Sequence, residues 1–85
     1  MIAQRFASNL VALRKAAGLS QEELGIRASL HRTEISQLER GLRLARIDTL
    51  AKLAASLNAT ADDLLSGIEW QPGETHYGQF REGDG

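Results

Sequence analysis

The segment from Ser20 to Gly41, SQEELGIRASLHRTEISQLERG, constrains this chain more than any other. It reads as two short helices joined by a tight turn. Ser20 followed by Glu23 makes an S-x-x-E capping box, which satisfies two backbone donors at a helix start. Leu24 and Ala28 lie one turn apart on the first helix, and Ile35 with Leu38 share one side of the second. Gly41 is placed to stop that second helix in a left-handed conformation. Helices this short are unstable alone in water, so the pair must pack on the rest of the chain. The groups they leave facing outward then point to function.

On a wheel of about 100° per residue, Arg32, Thr33, Ser36, Gln37 and Arg40 fall within an arc of about 140°. Ile35 and Leu38 lie roughly opposite, at the centre of the buried side. The outward arc holds two arginines, two hydroxyls and a carboxamide. Glu34 and Glu39 sit only at its margins. A merely solvated helix would more often mix carboxylates into such a face. These groups match DNA instead: they can bond phosphates and the base edges of a major groove.

The remaining periodicity supplies a scaffold. A first helix is expected from Ile2 to about Ala17, with Phe6, Leu10, Leu13 and Ala17 at helical spacing and Gly18 ending it. A fourth starts near Arg46 and presents Ile47, Leu50, Leu53, Ala54 and Leu57 to the core, with Asn58 as a left-handed stop. Thr60 and Asp63 form a second capping box and open a short fifth helix through Leu64 and Leu65, which Gly67 ends. No strand signal, internal repeat or low-complexity tract interrupts this region. The expected fold is therefore all-α, a compact five-helix domain over residues 1–68 with a short C-terminal tail over 69–85.

The series AAGLSQEELG, ISQLERG, IDTLAKLAASLNAT and DDLL, in that order, resembles the helix-turn-helix of the Cro and phage-repressor family, the XRE-type regulators. The likeness extends from about Leu10 to Leu65. It implies a sequence-specific DNA-binding transcriptional regulator whose third helix enters the major groove, commonly as a two-fold homodimer on a palindromic operator. Arg32, Thr33, Ser36 and Gln37 match the family's base-reading positions. Gln21 at the start of helix two, with Arg40, Arg43 and Arg46, is expected to hold phosphates. By the same resemblance, Arg14 and Glu39 would form a salt bridge that braces the recognition helix.

Departures from the family pattern have their own readings. Gly25 stands inside helix two where the family usually has alanine, and close approach of helix three is the favoured reason. Ser29 stands where glycine is common, so a left-handed turn there carries mild strain. His31 takes the capping position of helix three, and capping or a phosphate contact is expected of it ahead of a metal. The loop Leu42, Leu44, Ala45 and Arg46 differs from the common connection, and its leucines are expected to pack beneath it or at a dimer interface.

Charge and composition agree with this reading. The net charge of −1 conceals an asymmetry: residues 1–66 hold nine Lys and Arg against seven Asp and Glu, while residues 67–85 hold only Arg81 against four acids. A mildly basic domain thus precedes an acidic tail, and the local field decides what it meets. There is no cysteine, hence no disulfide or thiolate metal site, and no metal or cofactor is expected. No apolar run suits a membrane span and no secretory signal opens the chain, so a cytoplasmic location, in a bacterium or phage, is expected. Ser20, His31 and Asp48 are scattered over helix caps, and no catalytic constellation emerges; the chain is not expected to be an enzyme.

The tail, GIEWQPGETHYGQFREGDG, carries three of the four aromatics. Ile68 and Trp70 are expected to fold back on the core or, with Leu65, to form the interface of a homodimer. Beyond Pro72 a flexible end is the preferred reading. The other is a partner-binding segment anchored by Tyr77 and Phe80. An antitoxin-like protein or a restriction–modification controller of the same fold, with a partner-binding tail, is thus the alternative function. The operator, the regulated genes and the sign of regulation are not written in the sequence.

Overall fold

A computed structural model describes residues 2–83; residues 84–85, the end of the expected tail, lie outside it. Five helices follow one another: α1 (Ile2–Ala16), α2 (Gln21–Ala28), α3 (Arg32–Glu39), α4 (Ile47–Ser56) and α5 (Ala61–Leu64). Both capping boxes form. Ser20 Oγ accepts from the Glu23 N–H while the Glu23 carboxylate accepts from the Ser20 N–H, and Thr60 and Asp63 repeat the pattern. Each helix gives the centre at least one side chain that water does not reach: Leu10, Leu24, Ile35, Leu38, Leu53 and Leu64. Burying each contributes about 1.5–3 kcal/mol. α3 is held between α1 and α2, α4 packs on α2, and α5 bridges α1 and α4.

The first four helices end by one device. A residue in the left-handed region reverses the chain, and the next N–H returns to a carbonyl in the last turn. The pairs are Leu19 to Arg14, Leu30 to Gly25, Leu42 to Gln37 and Ala59 to Ala54. Three of the four reversals fall on Gly18, Gly41 and Asn58, as the sequence leads one to expect. The other falls on Ser29, at φ 54°. Its side chain meets the left-handed sterics that glycine avoids, so the helix-turn-helix keeps its turn with some strain.

Gly25 is buried beside that turn. A β-carbon there would stand 2.7 Å from the Leu30 carbonyl oxygen. The close approach expected at Gly25 is therefore real, but the turn makes it rather than the body of helix three.

Two expectations need correction. Ile47, assigned to the core, is 87% exposed. It lies about 70° from the centre of the stripe formed by Leu50, Leu53, Ala54 and Leu57. In the first turn of α4 it faces outward. The fold is also not purely helical: β1 (Ile68–Gln71) pairs antiparallel with β2 (Gln79–Glu82), in a register that sets Ile68 opposite Glu82 and Trp70 opposite Phe80. Where flexible chain was expected beyond Pro72, the structure thus has a second strand. Trp70 and Phe80 meet edge to face, ring centres 5.1 Å apart, a favoured aromatic geometry.

The hairpin is tied to the helical body. Arg5 Nε donates to the Ser66 carbonyl, and Asn9 Nδ2 donates to the carbonyls of Leu64 and Ser66. These bonds fasten α1 to the C-terminal end of α5 and satisfy carbonyls that a helix leaves open. Ile68 packs against the core. Phe80 lies with Phe6, Leu44, Leu50, Leu65 and Ile68 around an apolar depression of about 220 Å³.

Candidate nucleic-acid interface

α3 is oriented from within. Ile35 and Leu38 are essentially inaccessible to water, and their burial turns the opposite face to solvent. At its start the Thr33 N–H donates to His31 Nδ1 at 3.1 Å, so His31 caps the helix. Arg32, Thr33, Ser36, Gln37 and Arg40 together line a shallow depression of about 180 Å³ on the outer face. The structure brings together all five residues that the helical wheel placed outward.

Glu39, at the end of the same helix, is turned away from that face. Its carboxylate accepts from Arg14 Nε at 2.5 Å and Nη2 at 3.0 Å, and from Gln21 Nε2 at 3.1 Å. Arg14 Nη1 donates in addition to the Leu19 carbonyl. One carboxylate thus joins α1, the start of α2 and the end of α3, and Arg14 extends the network to the turn after α1. Both side chains of the ion pair are largely buried, 13% and 5% exposed. The hydrogen bond to Glu39 raises the Arg14 guanidinium above its ordinary pKa, against the opposing pull of burial. Sequence reasoning did not find the Gln21 and Leu19 contacts, because nothing local in the sequence announces them.

The candidate phosphate ligands are arranged less uniformly. Arg40 is exposed beside the depression. Arg43 Nη1 donates to Gln37 Oε1 at 3.2 Å, linking a candidate phosphate ligand to a candidate base reader. Arg46 pairs at 3.4 Å with Asp48, both well exposed, a contact of little energetic weight. The Gln21 side chain is engaged by Glu39, so a phosphate there would rely on backbone N–H groups of the first turn of α2. Glu22 and Glu23 share that turn. The Ser20 backbone N–H and hydroxyl hold the Glu23 carboxyl below its ordinary pKa, so it stays charged there.

On another part of the surface, Leu65 and Trp70 are exposed and Ile68 is half-buried. Leu44 and Phe80, both more than half exposed, join Leu65 and Ile68 at the rim of the apolar depression. Among the described residues, no three His, Asp or Glu side chains are grouped to hold a metal ion, and no helix is long and apolar enough to cross a membrane.

Comparison with known proteins agrees with this geometry. A family model described as helix-turn-helix matches residues 10–64. The chain is 41% identical over 49 residues to the control protein C.BamHI of Bacillus amyloliquefaciens, a match covering 58% of this chain and 60% of that protein. It is 38% identical over 65 residues to the control protein C.SmaI of Serratia marcescens, covering 76% of this chain and 77% of the relative. In three dimensions it is similar to the restriction-modification controller protein C.AhdI from Aeromonas hydrophila, with a TM-score of 0.71 and 35% identity over 73% of this chain and 94% of that one.

The brace yields a stability prediction. Glu39→Ala leaves a largely buried guanidinium with one carbonyl partner, and should lower the unfolding free energy by about 3 kcal/mol. Urea denaturation checks it; a loss under about 1 kcal/mol would show that the pair behaves as a surface contact.

Proposed function

This chain belongs to the helix-turn-helix family and is a DNA-binding transcriptional regulator; we propose that it reads DNA by laying the outer face of α3 in the major groove. The observation that carries this reading is the composition of that face. Arg32, Thr33, Ser36, Gln37 and Arg40 share one surface depression, while the carboxylate of Glu39 is drawn off by Arg14 and Gln21. Cationic and amide donors are left where a groove would lie. Arg32, Thr33, Ser36 and Gln37 are the base readers, since arginine suits guanine, a free glutamine suits adenine and hydroxyls suit either donor or acceptor edges. Arg40, Arg43, Arg46 and the backbone at Gln21 are the phosphate ligands.

These two roles separate experimentally. Arg40→Ala should weaken binding across all sequences and reduce the slope of log affinity against log salt by about one unit. Thr33→Ala should instead cost about 1–3 kcal/mol at the selected site and relax preference at one base pair. Competitive binding to duplexes recovered from a random pool measures both. An Arg40 variant with an unchanged salt slope would remove that residue from the phosphate set.

We further propose a homodimer formed through the face that holds Leu65, Ile68 and Trp70. One α3 covers only a few base pairs, and two copies would meet half-sites about 34–36 Å apart on a palindromic operator. Exposed Leu44, Leu65, Trp70 and Phe80 make this an apolar surface of the kind that marks protein association. Leu65→Glu should therefore yield a folded monomer with weaker operator binding, although Leu65 is not expected to touch DNA. Sedimentation and circular dichroism on that variant check it, Leu65 being outside the proposed set of DNA contacts. A folded monomer that retains full operator affinity would contradict the dimer.

A second reading, control of a restriction–modification system, is favoured by the control and controller proteins among the relatives. Placing the gene beside a restriction enzyme and methyltransferase, and showing binding upstream of them, would establish it.

A further inference from the structure

The chain reversal after α3 brings together two side chains to which the reading above gives separate roles. Gly41 adopts φ 69°, and the N–H groups of Gly41 and Leu42 return to the carbonyls of Leu38 and Gln37. Arg43, the next residue, is thereby carried back over the last turn of α3. There its guanidinium donates to Gln37 Oε1. A β-carbon on Gly41 would press on Gln4 at 3.1 Å as well as strain the left-handed backbone, so glycine fixes this return.

We propose that Arg43 is a positioning residue that sets the base preference of Gln37, directing it to guanine. The inference rests on the reading of α3 as the base-contacting helix. The terminal torsion of a glutamine is broad, so a free carboxamide presents either its oxygen or its nitrogen to a base at little cost. A charge-assisted bond from a guanidinium removes that freedom. With Oε1 turned to Arg43, the Nε2 end faces away from the loop as a donor. The other N–H groups of Arg43 add further donors alongside.

An edge composed of donors complements guanine, which offers O6 and N7 as acceptors in the major groove. Adenine requires one donor and one acceptor from its glutamine. Its N6 amino group would have to approach an oxygen already bonded to a cation, which the adjacent positive charge opposes. Arg43 thus converts a residue suited to adenine into one suited to guanine. Its effect is on specificity, in addition to any attraction for phosphate.

The test is selection from a pool of random-sequence duplex DNA by the unsubstituted chain, Gln37→Ala, Arg43→Ala and the double variant, followed by competition between single-base variants of the recovered site. Gln37→Ala identifies the base pair that Gln37 reads. At that pair the unsubstituted chain should select guanine, and Arg43→Ala should shift the guanine-to-adenine ratio toward adenine by about tenfold, the size of one good base contact. In the Gln37→Ala background, Arg43→Ala should leave base preference unmoved. Uniform loss of affinity and a reduced salt slope in Arg43→Ala, with the guanine preference intact, would make Arg43 a phosphate ligand only and overturn the inference while leaving α3 as the reading helix. Selection of adenine by the unsubstituted chain would overturn it equally. An unchanged consensus in Gln37→Ala would go further and remove Gln37 from the base readers altogether.

Discussion

The carboxylate of Glu39 is the point on which the molecule's surface chemistry turns. It lies at the end of α3 and would carry a negative charge toward any nucleic acid that approached. Arg14 and Gln21 draw it instead into a network joining three helices, and Arg14 is held in turn by the Leu19 carbonyl. The same bonds fix the angle at which α3 leaves the body. In a domain this small, whose core side chains are mostly leucine, a few satisfied polar contacts across helices specify a geometry that apolar packing alone leaves loose. Removing the acid from the outer face and holding that face outward are one event.

Around this brace the fold is organised by short helices and their ends. The turn between α2 and α3 fits because Gly25 admits the Leu30 carbonyl at close range and Ser29 accepts a left-handed backbone. The reversal at Gly41 has a different result, since it delivers Arg43 to Gln37. The two ends of α3 are thus set by local chemistry, one by the His31 cap and the other by glycine. Most of the cationic groups that could meet DNA are carried by α3 itself or the loop after it. The hairpin acids Glu69, Glu74 and Glu82 bring the overall charge near zero, and none of them lines the outer face of α3.

Most of the helical framework was legible because its signals are local. Ser20 with Glu23, Thr60 with Asp63, and left-handed Gly41 and Asn58 each act within a few residues. Ile35 and Leu38 set the phase of α3, and the outward five followed from it. The contacts that escaped were those between residues far apart in sequence. Arg14 and Glu39 were paired by resemblance to a family, since no spacing rule brings together residues on α1 and α3. Gln37 and Arg43 meet across a chain reversal, which no helical spacing announces. The hairpin was missed because QFRE and IEWQ are four residues each, mostly exposed and set among glycines, with no alternating buried face to mark them. Ile47 was misplaced because spacing alone does not say whether an edge position in a first turn is covered.

Specific recognition by this molecule depends on the outer face of α3 being the surface that meets DNA. Nuclear magnetic resonance of the isotope-labelled chain, titrated with a duplex recovered by selection, tests this residue by residue. Arg32, Thr33, Ser36, Gln37 and Arg40 should show the largest shifts, with side-chain signals of Gln37 among them, while the outer faces of β1 and β2 stay unperturbed. Perturbations confined to the hairpin, with α3 unchanged at saturating duplex, would contradict the central claim.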